Sequence, residues 1–478
     1  ASLPGATIRA RMFNCQYECQ SIHQIFFYFI IDFQKPFATS FEIHRLQKRT
    51  KALHFDTHWD PATVFAVPFE TQGWNDMSYF SINTVVSEVK GREILDARGN
   101  PTLEVDVILQ NGVFGRAAVP TGTSCGMNEA VDLRDGDPSR FGGMGVLNAV
   151  DHVHRQLFEV IQDLDVLDQT TLDMAMCELD GTERKSRMGA NAIVAVSMAC
   201  ARAAAACLKI PLYRYLGGID ARTLPVPMST VINGGLPEGG TVDFQEFMIL
   251  PVDAPSFREA TRMVSEIFHA LRQLLLAKGH HTGVGDEGGF CPFVGSHHEA
   301  LDLIIEAILQ AGFTTGPLSS QPQILLAIDA AASEMYQQAR AEGQVGYRFW
   351  RSGGPVLSSE KMVEFWCDLV RQYPMIFSLE DPMAEDDIQG WKLITKKLGA
   401  QIQLVGDDVF ATNARLLEKG ITEHIANAIL IKPNQIGTLT ETIDTVSLAR
   451  DRGYDCIVSH RSGETEDPFI ADLVVALG

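Results

Sequence analysis

Three acidic residues in the second half of the chain each follow a short apolar run of strand length: Asp329, Glu380 and Asp407. Three carboxylates brought together repel one another, so a buried site could keep them ionised only around a cation. Oxygen ligands alone suit Mg²⁺ better than zinc. The alternative is that each residue only caps the helix after it, because Asp is common at helix N-termini.

Two later apolar runs are followed by basic residues. Lys432 ends the first of them, and Arg461 and Ser462 follow the second. A lysine beside a metal and an arginine holds its proton less tightly, so Lys432 could act as a general base near neutral pH. The alternative is that Lys432 is only a counter-ion to Asp407. Guanidinium binds phosphate through two hydrogen bonds, so Arg461 and Ser462 are candidates for a phosphate clamp.

Two glutamates complete the set of residues that could do chemistry, Glu246 and Glu287. Glu287 lies in a glycine-rich segment, which would leave its carboxylate free to reach into a site. The same segment contains a GxGxxG string, but no strand precedes it and Pro292 follows it closely, so it is not a dinucleotide-binding loop. A metal, a base, an acid and a phosphate clamp indicate proton abstraction next to a carboxylate, followed by loss of a leaving group.

The elements that would position these residues repeat along the chain. Apolar runs alternate with helical patterns such as residues 359–372 and 438–452, and most repeats take about 30 residues, as a β/α unit does. Alternating β and α segments imply a parallel sheet. Functional residues after every strand favour a (β/α) barrel over an open Rossmann-like sheet, which binds at one switch point. The runs are residues 324–328, 375–379, 404–406, 428–431 and 456–458.

Composition limits the classes of partner. The 478 residues are 46% hydrophobic and 21% charged, which is enough apolar residue to build a large core. The formal net charge of −21 disfavours nucleic acid and anionic membranes as general partners, since both are polyanions. Nine cysteines without a regular spacing indicate free thiols in a reducing compartment. The small-residue run at 190–206 is expected to be a buried helix and not a membrane span.

Residues 1–83 differ from the rest. They carry as many basic as acidic residues and are rich in phenylalanine, and no helical or strand period is evident beyond the short apolar run at 25–31. We expect these residues to be a poorly packed extension, and they could be disordered.

From residue 84 onward the sequence resembles the enolase family (phosphopyruvate hydratases), with details closest to bacterial enolases. The matching strings occur in the family's order. They are GREILDARGNPT (91–102), PTGTSCG (120–126), DGTERKSRMGANA (180–192), QEFMILP (245–251), GDEGGF (285–290), SLEDP (378–382), GDD (406–408), IKPNQIGT (431–438) and SHRSGETED (459–467).

The resemblance implies roles for residues at the matching positions. Asp329, Glu380 and Asp407 would hold one Mg²⁺, and Ser124, in a loop that closes in the family, would ligate a second. Lys432 would remove the C2 proton of 2-phosphoglycerate, and Glu287, assisted by Glu246, would protonate the leaving hydroxyl. The residues implied to contact substrate are Gln245, Glu246, Glu380, Asp407, Lys432, Ser459, His460, Arg461 and Ser462.

The resemblance also implies an architecture and a setting. An α+β domain at about residues 84–222 would cap a (β/α)8-type barrel from about 223 to 478, with an antiparallel strand near the barrel's start. The expected function is the Mg²⁺-dependent conversion of 2-phosphoglycerate to phosphoenolpyruvate in glycolysis. The family suggests a cytoplasmic homodimer that binds neither nucleic acid nor membrane.

Two departures from the family keep other functions open. Pro237 stands where the family has a histidine in the second active-site loop. The given chain ends at Gly478, so we expect the barrel to lack its last β/α unit, together with the family's substrate-binding lysine on that strand. An inactive or catalytically weak relative with a binding or structural role is therefore the alternative. A superfamily member acting on a different acid is a third option, which the SHRSGE string disfavours.

Overall fold

A computed structural model describes residues 83–122, 126–235 and 241–478. Nearly all of the predicted extension at 1–83 lies outside these residues, as do Ser124 and Pro237. All of the described residues belong to one compact unit.

The first part of this unit is a three-stranded antiparallel sheet. Its strands are β1 (Val86–Leu95), β2 (Pro101–Leu109) and β3 (Phe114–Ala118), in that order. An Asn-Gly pair forms the turn between β2 and β3, where Gly112 adopts a φ of +82° and the Asn111 side chain accepts a hydrogen bond from the amide of Val113. Asn-Gly is a strong hairpin signal because glycine reaches positive φ without strain.

Helices cover one face of this sheet. They are α1 (Leu147–His152) and α2 (Phe158–Ile161), joined by a π-type stretch at Val153–Leu157, then α3 (Gln169–Asp180), α4 (Ala190–Leu208) and α5 (Leu212–Gly217). By length and composition α4 could cross a membrane, but 83% of its most apolar stretch is buried inside the protein. Its small side chains pack against β2 and β3, so it holds the position of a core helix, as predicted.

The second part is a seven-stranded sheet. Its strands are β4 (Ser229–Asn233), β5 (Glu246–Pro251), β6 (Ile324–Asp329), β9 (Ile376–Glu380), β10 (Gln403–Gly406), β11 (Ala428–Ile431) and β12 (Asp455–Val458); β7 (Tyr347–Arg348) and β8 (Val356–Leu357) form a separate hairpin. The order across the sheet is β12-β11-β10-β9-β6-β5-β4. β5 is antiparallel to both of its neighbours, and the other neighbouring pairs are parallel.

Helices alternate with these strands, and most of them pack on the outer face of the sheet. They are α6 (Phe257–Ala277), α7 (His297–Gln310), α8 (Ala332–Ala341), α9 (Ser359–Gln372), α10 (Ile388–Leu398), α11 (Ala414–Glu423), α12 (Pro433–Ile436), α13 (Leu439–Asp451) and α14 (Phe469–Leu477). Serines cap three of them, and two of these have a glutamate three residues later: Ser256 accepts the amide of Glu259, and Ser296 accepts the amide of Glu299. This Ser-x-x-Glu spacing is the sequence signature of a helix start.

Successive side chains along each strand point to opposite faces of the sheet, so they belong to two packing layers. Along β5, Phe247 and Ile249 join the large outer core with the helices, whereas Met248 and Leu250 point to the concave inner face. Inner-face residues of β5, β9, β11 and β12 line one common cavity, so the sheet is curled into a half-barrel. Within the described residues, β4 and β12 are its edge strands and no eighth strand joins them.

The predicted fold class is confirmed: an α+β part precedes a barrel-type α/β part whose sheet lacks an eighth strand. Each predicted apolar run overlaps a strand, and the ends agree to within one residue. The open Rossmann-like alternative is wrong because the chemically capable residues lie along the whole rim of a curled sheet.

Candidate active site

One edge of the half-barrel collects the carboxylates predicted from the sequence. Glu246 pairs with Asp329, and Asp329 pairs with Glu380 on the next strand. Asp407 follows the neighbouring strand β10, whose Val405 pairs with Glu380. Glu246 is the first residue of its strand and the others stand at or after strand ends. They share a rim because β5 runs antiparallel to β6.

The backbone beyond these strand ends is strained. Ala331, Asp381, Ala411 and Thr412 all have φ between +37° and +52°, which is uncommon for residues with a Cβ and an outlier for a β-branched threonine. Such conformations cost about 1–3 kcal/mol each and persist where the surrounding structure requires them, which is most often at functional sites.

Asp329 and Glu380 are almost completely buried. Burial raises the pKa of both carboxyls well above the usual range, and repulsion from Glu246 and Asp407 adds to it. No described residue donates a hydrogen bond to the Glu380 carboxylate. None of the three predicted ligands is a helix N-cap, since the caps of α8, α10 and α11 are Ala331, Asp387 and Asn413. Asp329 does accept the backbone amide of Ala331 at 2.8 Å, just before α8. The helix-cap alternative is therefore wrong here.

Asp407 is held by two donors. Lys432 Nζ lies 2.6 Å from its Oδ2, and the amide Nε2 of Gln435 donates to its Oδ1 at 2.8 Å. Burial alone would raise the pKa of Asp407, but Lys432 outweighs it and the pKa is lowered. Burial alone would likewise lower the pKa of Lys432, but Asp407 and Glu380 outweigh burial and the nearby Arg461, so the pKa is raised.

This raised pKa differs from the sequence-based expectation for Lys432. The expectation assumed a cation beside Lys432. The neighbour with the largest effect on its pKa is instead the Asp407 carboxylate, which raises it. The contact between Lys432 and Asp407 is the one that the counter-ion alternative expects.

On the other side of the rim, Glu246, Glu287 and His460 place ligand atoms within 4.8 Å of one another. Burial and the charge of Glu287 raise the pKa of Glu246 to about 7. Burial would also raise the pKa of Glu287, but His460, whose Nε2 lies 3.1 Å from Oε2 of Glu287, outweighs it and lowers the pKa. The hydrogen bond to Glu287 in turn raises the pKa of His460. Near neutral pH Glu246 is thus close to its pKa and can exchange a proton, whereas Glu287 is ionised.

The proposed phosphate clamp is anchored to the first part of the fold. Arg461 Nη1 lies 2.9 Å from Oε2 of Glu129, and both side chains are almost completely buried. Thr121 and Gly463 exchange backbone hydrogen bonds of 2.9 and 2.8 Å. A Cβ on Gly122 would lie 1.8 Å from Nη2 of Arg461, so only glycine allows the guanidinium to occupy this position.

Every described residue of the predicted site lines one cavity of about 870 Å³. The rim members are Gln245, Glu246, Glu287, Asp329, Glu380, Asp407, Lys432, Ser459, His460, Arg461 and Ser462. Ser124, the predicted ligand of a second Mg²⁺, lies outside the described residues. The structure therefore brings together residues that are as far apart in the chain as Gln245 and Ser462.

The donor set at the rim fits a divalent cation such as Mg²⁺. Asp381, Asp407 and Asp408 form a second close acidic group, but the oxygens of Asp381 accept the backbone amides of Asp407 and Asp408, each at 2.9 Å. These two hydrogen bonds hold the backbone of the loop after β10, so the role of Asp381 there is structural. Among the described residues, Asp329 and Glu380 belong to neither of the two close groups. With Asp407 they stay the predicted ligand set, because buried oxygen donors of like charge are suited to Mg²⁺.

Three residues around the site were not singled out from the sequence: Glu129, Asp381 and Gln435. Asp381 directly follows Glu380 and could have been suspected from its position. Glu129 and Gln435 do not follow apolar strands, and only tertiary structure shows that the amide of Gln435 reaches Asp407 and, at 3.2 Å, Glu129.

Comparison with protein-family models gives two matches. The enolase N-terminal domain matches residues 86–216, and the enolase C-terminal TIM barrel domain matches residues 221–478. Together they cover most of the chain, including every rim residue described above.

Proposed function

The chain belongs to the enolase family and is an enolase-like lyase, and from its rim geometry we propose that it dehydrates 2-phosphoglycerate to phosphoenolpyruvate with bound Mg²⁺, and catalyses the reverse hydration. The observation that carries the proposal is the arrangement of a lysine, a glutamate pair and buried carboxylates around a single cavity. This set would provide a base and an acid for a substrate bound in that cavity.

Asp329, Glu380 and Asp407 would hold the metal. When bound, Mg²⁺ supplies the positive charge that makes loss of a proton next to a carboxylate feasible. The buried Glu380 carboxylate, to which no described residue donates a hydrogen bond, supports this assignment.

Lys432 is the proposed base for the C2 proton. It is the lysine that lines the described cavity at the carboxylate rim, and it lies between Asp407 and the Arg461 region. Pairing with Asp407 raises the pKa of Lys432. Lys432 would therefore take up the C2 proton only when the Asp407 carboxylate is bound to another partner.

Glu246 and Glu287 are the proposed acid on the leaving-group side. The C–O bond at C3 breaks as the C2–H electron pair forms the double bond, and a proton from one of the two glutamates joins the departing hydroxide to give water. The structure favours Glu246 as the carrier of that proton, because its pKa is raised to about 7 whereas the pKa of Glu287 is lowered. The family resemblance assigns the proton to Glu287.

Arg461, Ser462, Ser459, His460 and Gln245 are the proposed contacts to substrate. Arg461 keeps a fixed orientation through Glu129 and Gly122, which suits a planar guanidinium that must meet a phosphate. We further propose a homodimer acting in glycolysis in the cytoplasm. The unpaired thiols of Cys177, Cys200, Cys207, Cys367 and Cys456 are compatible with a reducing compartment.

The test is a direct assay of the full chain with 2-phosphoglycerate, with and without Mg²⁺, following the ultraviolet absorbance of the enol product. Lys432→Met should abolish turnover, and Lys396→Met, at an exposed lysine of α10, should leave it unchanged. A folded chain that binds Mg²⁺ but gives no product would refute the activity and favour the non-catalytic alternative.

A further inference from the structure

Gln435 is a completely buried side chain next to the site but not in the lining of its cavity. Its Nε2 donates to Oδ1 of Asp407 at 2.8 Å and to Oε1 of Glu129 at 3.2 Å. Its Oε1 accepts the hydroxyl of Thr412 at 2.8 Å. Both ends of the amide are therefore engaged, and its donor end lies between two carboxylates.

The surroundings fix which way this amide points. The Thr412 hydroxyl oxygen accepts the backbone amide of Lys432 at 2.9 Å. Its own hydrogen has two acceptors within reach, Oε1 of Gln435 at 2.8 Å and the carbonyl oxygen of Leu430 at 3.3 Å, and the contact to Gln435 is the shorter. At the other end of the amide, two carboxylates can only accept, so that end must be the NH₂ group. Thr412 reaches this place only with a φ of +52°, directly after Ala411 at +45°. Backbone strain of this kind is retained where neighbouring contacts require it, and here it places the hydroxyl that orients Gln435.

Asp407 needs this second donor. Lys432 binds Oδ2 of Asp407, and Gln435 donates a hydrogen bond to Oδ1 of the same carboxylate. Without the amide, the carboxylate would be free to turn toward the lysine and away from Glu380. Partners behind a metal ligand commonly fix its orientation in this way.

We propose that Gln435 is a positioning residue that orients the Asp407 carboxylate toward a divalent cation and ties this ligand, through Glu129, to Arg461. The inference rests on the proposed function in one respect, namely that Asp407 binds Mg²⁺. It assigns Gln435 no contact with substrate and no share in proton transfer. Its effect should therefore appear in Mg²⁺ affinity before any chemistry takes place.

The test measures Mg²⁺ binding to the full chain by titration calorimetry and melting temperature in EDTA. Gln435→Met should weaken Mg²⁺ binding about 10–100-fold, the usual cost of losing a partner behind a metal ligand. Gln401→Met, at an exposed glutamine, should bind like the wild type.

A second pair keeps the inference testable if Gln435→Met does not fold. Thr412→Ser keeps the hydroxyl and should bind Mg²⁺ like the wild type, and Thr412→Val removes it and should bind several-fold more weakly. If the folded Gln435→Met variant, or failing that the Thr412 pair, binds Mg²⁺ as tightly as the wild type, the inference is wrong and the proposed function stands. If the wild type itself binds no Mg²⁺, both are overturned.

Discussion

Replacing Glu380 with glutamine should stabilise the ion-free protein while destroying its Mg²⁺ site. Glutamine has the same shape, and its amide can donate to the neighbouring carboxylates. Glu380 is 8% exposed, and no described residue donates a hydrogen bond to its carboxylate. Lys432, the nearest compensating cation, is already paired with Asp407 at 2.6 Å. The folded protein therefore holds this carboxylate at an electrostatic cost.

The size of the effect follows from the spacing of the strands. Paired strands lie about 4.8 Å apart, so Glu380 and Asp329 can be taken as about 5 Å apart. Two like charges at that distance repel by about 3 kcal/mol at an effective dielectric constant of about 20. Lys432 offsets part of this, so the gain should be about 0.5–2 kcal/mol, the range found when strained functional sites are relaxed.

Loss of one carboxylate ligand should weaken Mg²⁺ binding at least about 100-fold, which removes about 2.7 kcal/mol of stabilisation at saturating Mg²⁺. The variant should then be less stable than the wild type by about 0.7–2.2 kcal/mol. The order of the two melting temperatures should therefore invert between EDTA and excess Mg²⁺, by about 1–4 °C each way.

Differential scanning calorimetry near pH 8 would measure this inversion. Glu306→Gln is the matched control, because Glu306 is an exposed carboxylate on α7 paired with Lys278, and its loss should not change the response to Mg²⁺. A Glu380→Gln variant that melts below the wild type in EDTA would refute the argument that this carboxylate is strained. An unchanged response to Mg²⁺ would refute its assignment as a ligand.

Further predictions concern pH, the clamp and the hairpin. The pKa values of Asp329 and Glu380 are raised, so Mg²⁺ must displace protons; its affinity should increase with rising pH in calorimetric titrations, and a flat profile would contradict this. Gly122→Ala places a Cβ against Arg461 and should raise KM for 2-phosphoglycerate at least about tenfold with a smaller change in kcat; unchanged steady-state kinetics would contradict it. Asp243→Asn weakens the bonds that hold the β7–β8 turn and should lower the free energy of unfolding by about 1–3 kcal/mol in denaturant titrations, with no loss contradicting the role.

Much of the fold could be predicted because strands and helices are encoded locally. Residues 359–372 were predicted as a helix and form α9 with the same ends. The polar residues at strand ends showed which chemistry to expect, since parallel strands bring their carboxyl ends to one rim. The resemblance to enolases then supplied the roles of individual residues, which remain proposals.

The protonation of the site could not be predicted from residue types. A lysine beside carboxylates without an ion holds its proton more tightly, as Lys432 shows. Which of two adjacent glutamates carries a proton depends on a third group, here His460 beside Glu287. These are balances between burial and neighbouring charge, and both quantities exist only after folding.

The sequence by itself determined the elements, the rim and the kinds of side chain on it, because periodicity and strand-end residues are local properties of the chain. Tertiary structure decided how those side chains are held. The antiparallel course of β5 brings Glu246 to the rim, and packing of the two parts places Glu129 against Arg461, 332 positions later. Such contacts depend on how distant segments pack, and no local pattern specifies that packing.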